Sequence, residues 1–212
     1  MESIKRQRAP FMVFMAFTVL LLFAVSVPTS AQVNPSKVFE NSYAKEASGD
    51  YKGAIDELIE LNGFDYHKSL RLGWLYFLDK NYDASIRHYQ QAVSLRPKAV
   101  EALLGLCNPL DAKGNTDQLE MTYKKILDID PMNSKVNYAL GNIYYYRKNF
   151  ALAEKYYDLV VAMYPFDYYS NLMAGWTKYF LGKSNEAKTL FNTVLIISPT
   201  DKSAQEGLAL IK

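Results

Sequence analysis

Four prolines recur at a constant spacing from residue 97 onward. A proline cannot continue the hydrogen-bond ladder of a helix, so a regular series of prolines predicts a regular series of helix ends. A fixed period of this length is typical of repeat arrays, in which each unit buries its apolar face against its neighbours. Successive members of the series are 34 residues apart, and the members are Pro97, Pro131, Pro165 and Pro199.

The same register divides the chain into five units and a short C-terminal segment. The first unit is three residues shorter than the others, which predicts a tighter exit loop. The last segment carries Leu208 and Leu210–Ile211, which are expected to cover the fifth unit as a capping helix. The predicted units are 35–65, 66–99, 100–133, 134–167 and 168–201, followed by the capping segment 202–212.

Two aligned columns predict how the helices of each unit pack. Two helices approach most closely where one presents a small side chain, so a column of small residues in the first half of each unit predicts a contact point. In the second half, a large residue follows a small residue by one helical turn, which is one face of an amphipathic helix. The small column is Ser42, Gly73, Cys107, Gly141 and Gly175, and the large column is Leu58, Tyr89, Tyr123, Tyr157 and Phe191.

Short polar residues mark the predicted helix starts. Their side chains can accept from the free N–H groups of a first turn, so they are predicted N-caps. The fifth unit has Lys183 at the cap position of its second helix, and Ser184 is the predicted cap there. The other predicted caps are Asp50, Asn81, Asn115 and Asn149 for second helices, and Asn133, Asp167 and Asp201 for first helices.

These columns resemble the tetratricopeptide repeat (TPR). Its Gly-x-x-Tyr motif in the first helix, Ala-x-x-x-Tyr/Phe-x-x-Ala motif in the second and closing proline match best from Gly141 to Pro165. Units one and three are degenerate, and Pro109 lies inside the first helix of unit three. An interior proline predicts a kink, with a hinge that changes the superhelix curvature as the alternative. The resemblance implies an all-α solenoid of antiparallel helix pairs in a right-handed superhelix.

The N-terminus has the layout of a secretory signal peptide. Basic residues (Lys5, Arg6 and Arg8) precede an uncharged apolar run at 11–27, and small residues end the segment at Ala31. We predict a signal peptide over 1–31 and an exported, periplasmic protein. The alternative is an uncleaved inner-membrane anchor, because 17 apolar residues sit at the short limit for crossing a bilayer.

Composition argues against several functional classes. Residues 1–31 hold three of the 24 basic and one of the 22 acidic residues, so the remainder balances at 21 of each. A neutral chain lacks the basic surface that nucleic acid requires. The two histidines and the single cysteine, Cys107, form no metal-ligand or nucleophile pattern, and no phosphate-binding motif occurs. We therefore predict no catalytic residue, metal or cofactor, and a buried, inert Cys107 thiol.

The TPR resemblance implies that partners bind to particular positions of the first helices. Here these positions are rich in aromatic side chains, which anchor interfaces well. Leu70 and Leu104 stand where a basic residue would be needed for a carboxylate clamp, so a clamp is not expected. Phe77, Tyr146 and Phe180 are expected to pack between units. The predicted groove residues are Tyr43, Trp74, Asn108, Tyr138, Asn142, Tyr145, Tyr169, Trp176 and Tyr179.

These patterns together predict a non-enzymatic scaffold that binds a protein or peptide partner in an extracytoplasmic compartment. An extended peptide or a helix fits an aromatic groove, and a glycan is a further possibility. The alternatives are a membrane-anchored scaffold and an accessory subunit of an envelope enzyme or polysaccharide machine.

Overall fold

A computed structural model describes residues 34–211, and these form an all-α solenoid, which confirms the predicted fold class. The predicted signal segment lies outside the described residues. None of the helices within 34–211 is both long and apolar enough to cross a membrane. The described helices are α1 (Pro35–Ala47), α2 (Tyr51–Ile59), α3 (Asp65–Leu78), α4 (Tyr82–Leu95), α5 (Val100–Ala112), α6 (Thr116–Ile129), α7 (Ser134–Tyr146), α8 (Phe150–Met163), α9 (Tyr168–Phe180), α10 (Ser184–Ile197) and α11 (Lys202–Leu210).

Most predicted caps hold the helix starts as expected. Side chains at six of the predicted positions accept a hydrogen bond from a backbone N–H of the first turn. Asn115 occupies its cap position without a side-chain bond. The prediction for the fifth unit was wrong: Ser184 is the first residue of α10, and Lys183 is at the cap without a side-chain bond. The six bonded caps are Asp50, Asn81, Asn133, Asn149, Asp167 and Asp201.

The short first unit loses residues from a helix instead of from its exit loop, contrary to the sequence expectation. Helix α2 has 9 residues, whereas α4 has 14. The loop after α2 runs from Glu60 to Phe64, one residue longer than the Arg96–Ala99 loop after α4. The physical reason is a glycine and an aromatic residue with positive φ, Gly63 and Phe64, which redirect the chain into α3.

Aromatic rings of the second helices pack directly onto glycines of the first helices. Gly73, Gly141 and Gly175 face the rings of Tyr89, Tyr157 and Phe191, and a Cβ built on any of them would lie less than 3.0 Å from a ring atom. The three rings are almost fully buried. In units two, four and five the small column is therefore a contact point between the two helices of the unit, as predicted.

A second set of glycines continues this packing into the next unit. A Cβ on Gly105 of α5 would lie 2.2 Å from the Tyr89 ring, and a Cβ on Gly207 of α11 would lie 2.4 Å from the Phe191 ring. Each of these rings is thus held between the first helix of its own unit and the first helix that follows.

Two asparagines secure the loops that carry the prolines. Asn137 and Asn171 are fully buried, and each donates its side-chain amide to the carbonyl of the preceding Pro131 or Pro165 at 3.0 Å. Each amide also donates to the carbonyl of the N-cap residue four positions earlier. The proline thus ends one helix while its carbonyl is held by the next helix.

The third unit departs from this pattern. Cys107 replaces the glycine and is buried, as predicted, and its thiol donates to the Leu103 carbonyl. Burial raises the pKa of this thiol to about 12, so it stays protonated and unreactive. Pro109 is buried within α5, which continues to Ala112. The kink and the hinge at this proline stay predictions.

Helix α11 covers the fifth unit. Leu208 and Ile211 pack against the buried cluster around Phe191, as expected for a cap. Leu210 was expected to join them but stays half-exposed, because it lies on the outer side of the helix.

Five helix-ending turns share one conformation but differ in residue type. Gly49, Gly114 and Gly182 take positive φ, the conformation for which glycine has no steric penalty. Lys80 and Lys148 occupy the same place with φ of 60° and 58°. A side chain with a Cβ is strained in this conformation.

We predict that Lys80→Gly and Lys148→Gly each raise the free energy of unfolding by about 1 kcal/mol, because each removes this strain. Urea unfolding followed by circular dichroism measures the change. Gly114→Ala is the matched control and should lower stability by a similar amount. A loss of stability in both lysine variants would contradict the assignment.

Candidate functional site

Seven of the nine predicted groove residues fall into three groups on the first helices, with Asn108 and Asn142 apart from them. Asn108 is exposed on α5 and lines none of the cavities described below. One group lies at the N-terminal end, a second between the starts of α7 and α9, and a third around the end of α9. The groups are Tyr43 with Trp74, Tyr138 with Tyr169, and Tyr145 with Trp176 and Tyr179.

The first group borders the N-terminal pocket, a groove of about 630 Å³ between α1, α3 and α5. This volume is within the range of about 300–1,000 Å³ that is usual for ligand sites. Its polar members are His67, Arg71 and Glu101. Its apolar walls come from Phe39, Tyr43, Phe64, Leu70, Trp74 and Tyr89.

A charged network fixes the shape of the N-terminal pocket. Arg71 is only 7% exposed and forms an ion pair with Glu46 of α1. The other Glu46 oxygen accepts from the Trp74 indole N–H at 2.7 Å. The guanidinium also lies 3.9 Å from the centre of the Tyr43 ring and donates to the Ser42 carbonyl. The Trp74 side chain is therefore held in one orientation, with part of its surface exposed.

Phe64 occupies the rim of this pocket in a strained conformation. Its φ and ψ of 55° and 29° place it in the left-handed region, which is unfavourable for an aromatic residue. Its side chain is 53% exposed, so burial in the core does not offset the strain. An exposed aromatic side chain at the rim of a cavity is available to contact a bound molecule.

The second group borders a smaller groove of about 360 Å³ that Lys135, Tyr138 and Tyr169 line with Ser170. Tyr169 is 65% exposed, whereas the Tyr138 ring is half-buried 5.7 Å from that of Tyr157. The Ser170 hydroxyl is buried and has no hydrogen-bond partner among the described residues.

The third group forms an aromatic cluster with Phe150 and Phe180. The Phe150 and Phe180 rings stack 4.6 Å apart, and Phe180 also lies 6.1 Å from both Tyr145 and Trp176. The indole N–H of Trp176 donates to the Ser203 hydroxyl of α11 at 2.8 Å. Each of the two tryptophans is thus bonded to the first helix of an adjacent unit or to the capping helix.

The aromatic residues predicted to pack between units differ in their contacts. Phe180 of the fifth unit stacks on Phe150 of the fourth unit, as predicted, although its side chain is still 49% exposed. Tyr146, the last residue of α7, is 78% exposed instead. Phe77 is half-buried, with its ring 5.8 Å from that of Trp74.

Asn142 has a structural contact. Its side-chain oxygen accepts from the Tyr157 hydroxyl at 2.6 Å, so that oxygen is already engaged. The side chain is half-buried on α7. Within residues 34–211, no group of three or more His, Cys, Asp or Glu side chains is placed to bind a metal ion.

Comparison with known proteins agrees with this architecture. The tetratricopeptide repeat model TPR_8 matches residues 70–99 and 134–167. The chain therefore contains tetratricopeptide repeats. None of the curated proteins compared with the sequence matches it.

Solved structures of low sequence identity share the fold. A tetratricopeptide repeat protein from Parabacteroides merdae ATCC 43184 superposes with a TM-score of 0.69 at 21% identity, over 82% of this chain and 70% of that one. A crystal structure of MamA gives 0.67 at 19% identity, over 84% and 97%. MamA from Desulfovibrio magneticus RS-1 gives 0.66 at 14% identity, over 79% and 96%. At these identities the likeness establishes the fold alone.

Sequence reasoning missed Arg71, Phe64 and Tyr89 as members of the N-terminal pocket. Arg71 occupies the repeat position that holds Gly105, Ala139, Met173 and Gly207 in later units. A single arginine among uncharged residues at this position could have identified Arg71 as a candidate site residue. Phe64 follows Gly63 in an irregular loop, and no periodic pattern identifies it.

Proposed function

We propose that the chain is a non-enzymatic scaffold that binds a segment of a protein partner along its first-helix face. The observation that carries this proposal is the N-terminal pocket, in which the side chains of Tyr43, Phe64 and Trp74 stay partly exposed. Exposed aromatic clusters of this kind mark contact surfaces. The partner segment lies as an extended peptide or a helix against the aromatic side chains.

Both tryptophans support the assignment. Trp74 and Trp176 take equivalent positions in α3 and α9, and a hydrogen bond to a neighbouring helix orients each ring. An oriented ring loses little conformational entropy when a partner covers it, which favours affinity. The surface between them on α5 presents Asn108 and Asp111, both exposed, so the face has two aromatic parts separated by a polar one.

The experiment uses exposed tyrosines, because their truncation spares the core. Tyr43 and Tyr169 are 56% and 65% exposed on the two aromatic parts of the face. We predict that Tyr43→Ala plus Tyr169→Ala reduces recovery of the principal partner from an envelope extract by more than about tenfold, since truncated aromatic anchors cost 2 kcal/mol or more. Quantitative mass spectrometry of proteins captured on the immobilised chain measures recovery.

The matched control is Met121→Ala plus Ile196→Ala, which truncates side chains of 57% and 69% exposure on the second helices. This control should leave recovery unchanged, and both double variants should melt near the parent temperature. Equal recovery by all three proteins would contradict the proposal. A stoichiometric enzyme among the captured proteins would indicate an accessory role.

We also propose that the scaffold acts outside the cytoplasm, in the periplasm of a bacterial host. This proposal is supported by the basic residues Lys5, Arg6 and Arg8, by the apolar run at 11–27 and by the small residues that end at Ala31. An anchored form would keep the same repeats at the membrane surface.

Mass spectrometry of the protein isolated from host cells tests export. We expect a mature N-terminus at Gln32 in the envelope fraction. Recovery of the chain with Met1 intact would contradict cleavage.

A further inference from the structure

The N-terminal pocket combines apolar walls with an unbalanced charge. Its lining residues carry one positive and one negative side chain, Arg71 and Glu101, with histidine counted as neutral. The Arg71 charge is already paired with Glu46, which borders the adjoining groove. The pocket therefore presents one carboxylate, that of Glu101, without a compensating cation.

Contacts within the chain hold the Glu101 carboxylate in place. The Tyr66 hydroxyl donates to it at 2.6 Å from α3, and Tyr66 is itself only 6% exposed. Burial and this bond raise the pKa of Tyr66 to about 12, so the hydroxyl remains a donor. Among residues 34–211, no basic side chain lies within ion-pair distance of Glu101.

Basic residues on α3 and at the end of α4 have other contacts. The Lys68 ammonium donates to the carbonyls of Ile59 and Leu61 at 2.6 and 2.8 Å. The Arg96 guanidinium lies 4.3 Å from the centre of the Tyr66 ring. Glu101 is an exposed residue and is free to meet a cation from outside.

Phe64 supplies the apolar part of the same site. It is the only non-glycine residue of the described chain that combines positive φ with an aromatic side chain, and that side chain is half-exposed at the pocket. Substitution by glycine would remove both the strain and the ring, so stability and binding should respond in opposite directions.

We propose that this pocket receives a bulky apolar side chain of the partner, and that Glu101 pairs with a lysine or arginine next to it. The inference rests on the proposed function and names the chemistry of the bound segment. The apolar side chain packs against Phe64 and Trp74, and the neighbouring cation meets the carboxylate that the chain leaves unpaired.

Three capped pentapeptides serve as probes: Gly-Lys-Phe-Lys-Gly, the same peptide with both lysines replaced by glutamate, and the same peptide with phenylalanine replaced by alanine. The peptides are titrated into a Trp176→Phe variant of the protein. The variant is purified from cells in the form in which it accumulates there. Trp74 is then its sole tryptophan, and its fluorescence reports on the pocket.

We expect the Lys-Phe-Lys peptide to bind about fivefold or more tightly than the Glu-Phe-Glu peptide, as a partly exposed charge pair allows. The alanine peptide should bind most weakly. Glu101→Lys should reverse the preference between the first two peptides, and Glu101→Gln should make them equal. Asp111→Lys, the same charge change on the same helix away from the pocket, should keep the parent order.

Phe64→Gly separates binding from folding. We expect it to weaken both phenylalanine peptides by at least about fivefold without lowering the melting temperature, since the new residue accepts the left-handed conformation. Weaker binding accompanied by a lower melting temperature would assign Phe64 a structural role and overturn its part in the site.

The inference is overturned if Lys-Phe-Lys shows no saturable binding, or if Glu101→Lys keeps the parent order. If Tyr43→Ala plus Tyr169→Ala still reduces partner capture by more than about tenfold in that case, the proposed scaffold function stands and only the chemistry of the pocket is wrong. If the charge reversal occurs while partner capture is unaffected, the pocket has the stated chemistry and the scaffold proposal fails.

Discussion

The contact between an aromatic ring of one helix and glycines of two others is the interaction on which this solenoid depends. Tyr89 is held between Gly73 and Gly105, and Phe191 between Gly175 and Gly207. A buried ring stabilises the helix pair to which it belongs and also fixes the distance to the next first helix. Stability is therefore shared between neighbouring units, as expected for a repeat array in which no unit buries its apolar face alone.

This packing also explains why the candidate site lies on the first helices. The second helices direct the large rings of Tyr89, Tyr157 and Phe191 into the core, so most of the aromatic residues left for binding are those of α1, α3, α7 and α9. Phe150 of α8 joins them in the third group. Glu46 and Ser203 then orient Trp74 and Trp176 through hydrogen bonds that cross from one unit to the next. The stacking of one unit on the next, which stabilises the fold, therefore also sets the geometry of the two aromatic parts of the first-helix face.

Features that recur with the period could be predicted from the sequence. The helix pairs, the caps at Asp50 and Asn149 and the contact at Gly141 all follow from aligned columns, because the same local physics operates in each unit. Gly105 and Gly207 were missed, although they share a column, because the intervening members are alanine and methionine. Their role appears only when the ring of the preceding unit is placed beside them.

Features that occur once were the least predictable. The left-handed Phe64 and the ion pair of Arg71 with Glu46 depend on the irregular first unit, where α2 is short and the period gives no guide. The expected tight exit loop was wrong for the same reason. Tyr146 was expected to pack between units, but it is the last residue of α7 and is 78% exposed.

The unfolding free energy of Gly105→Ala tests the ring contact most directly, because two accounts predict opposite signs. In an exposed helix interior, glycine to alanine raises stability by roughly 0.5–1 kcal/mol. If Gly105 forms the second side of the Tyr89 site, the added methyl group overpacks the core and lowers stability by about 1–3 kcal/mol. Urea unfolding, with the exposed Asn108→Ala on the same helix as control, should show the loss for Gly105→Ala alone. A gain in stability for Gly105→Ala would contradict the account.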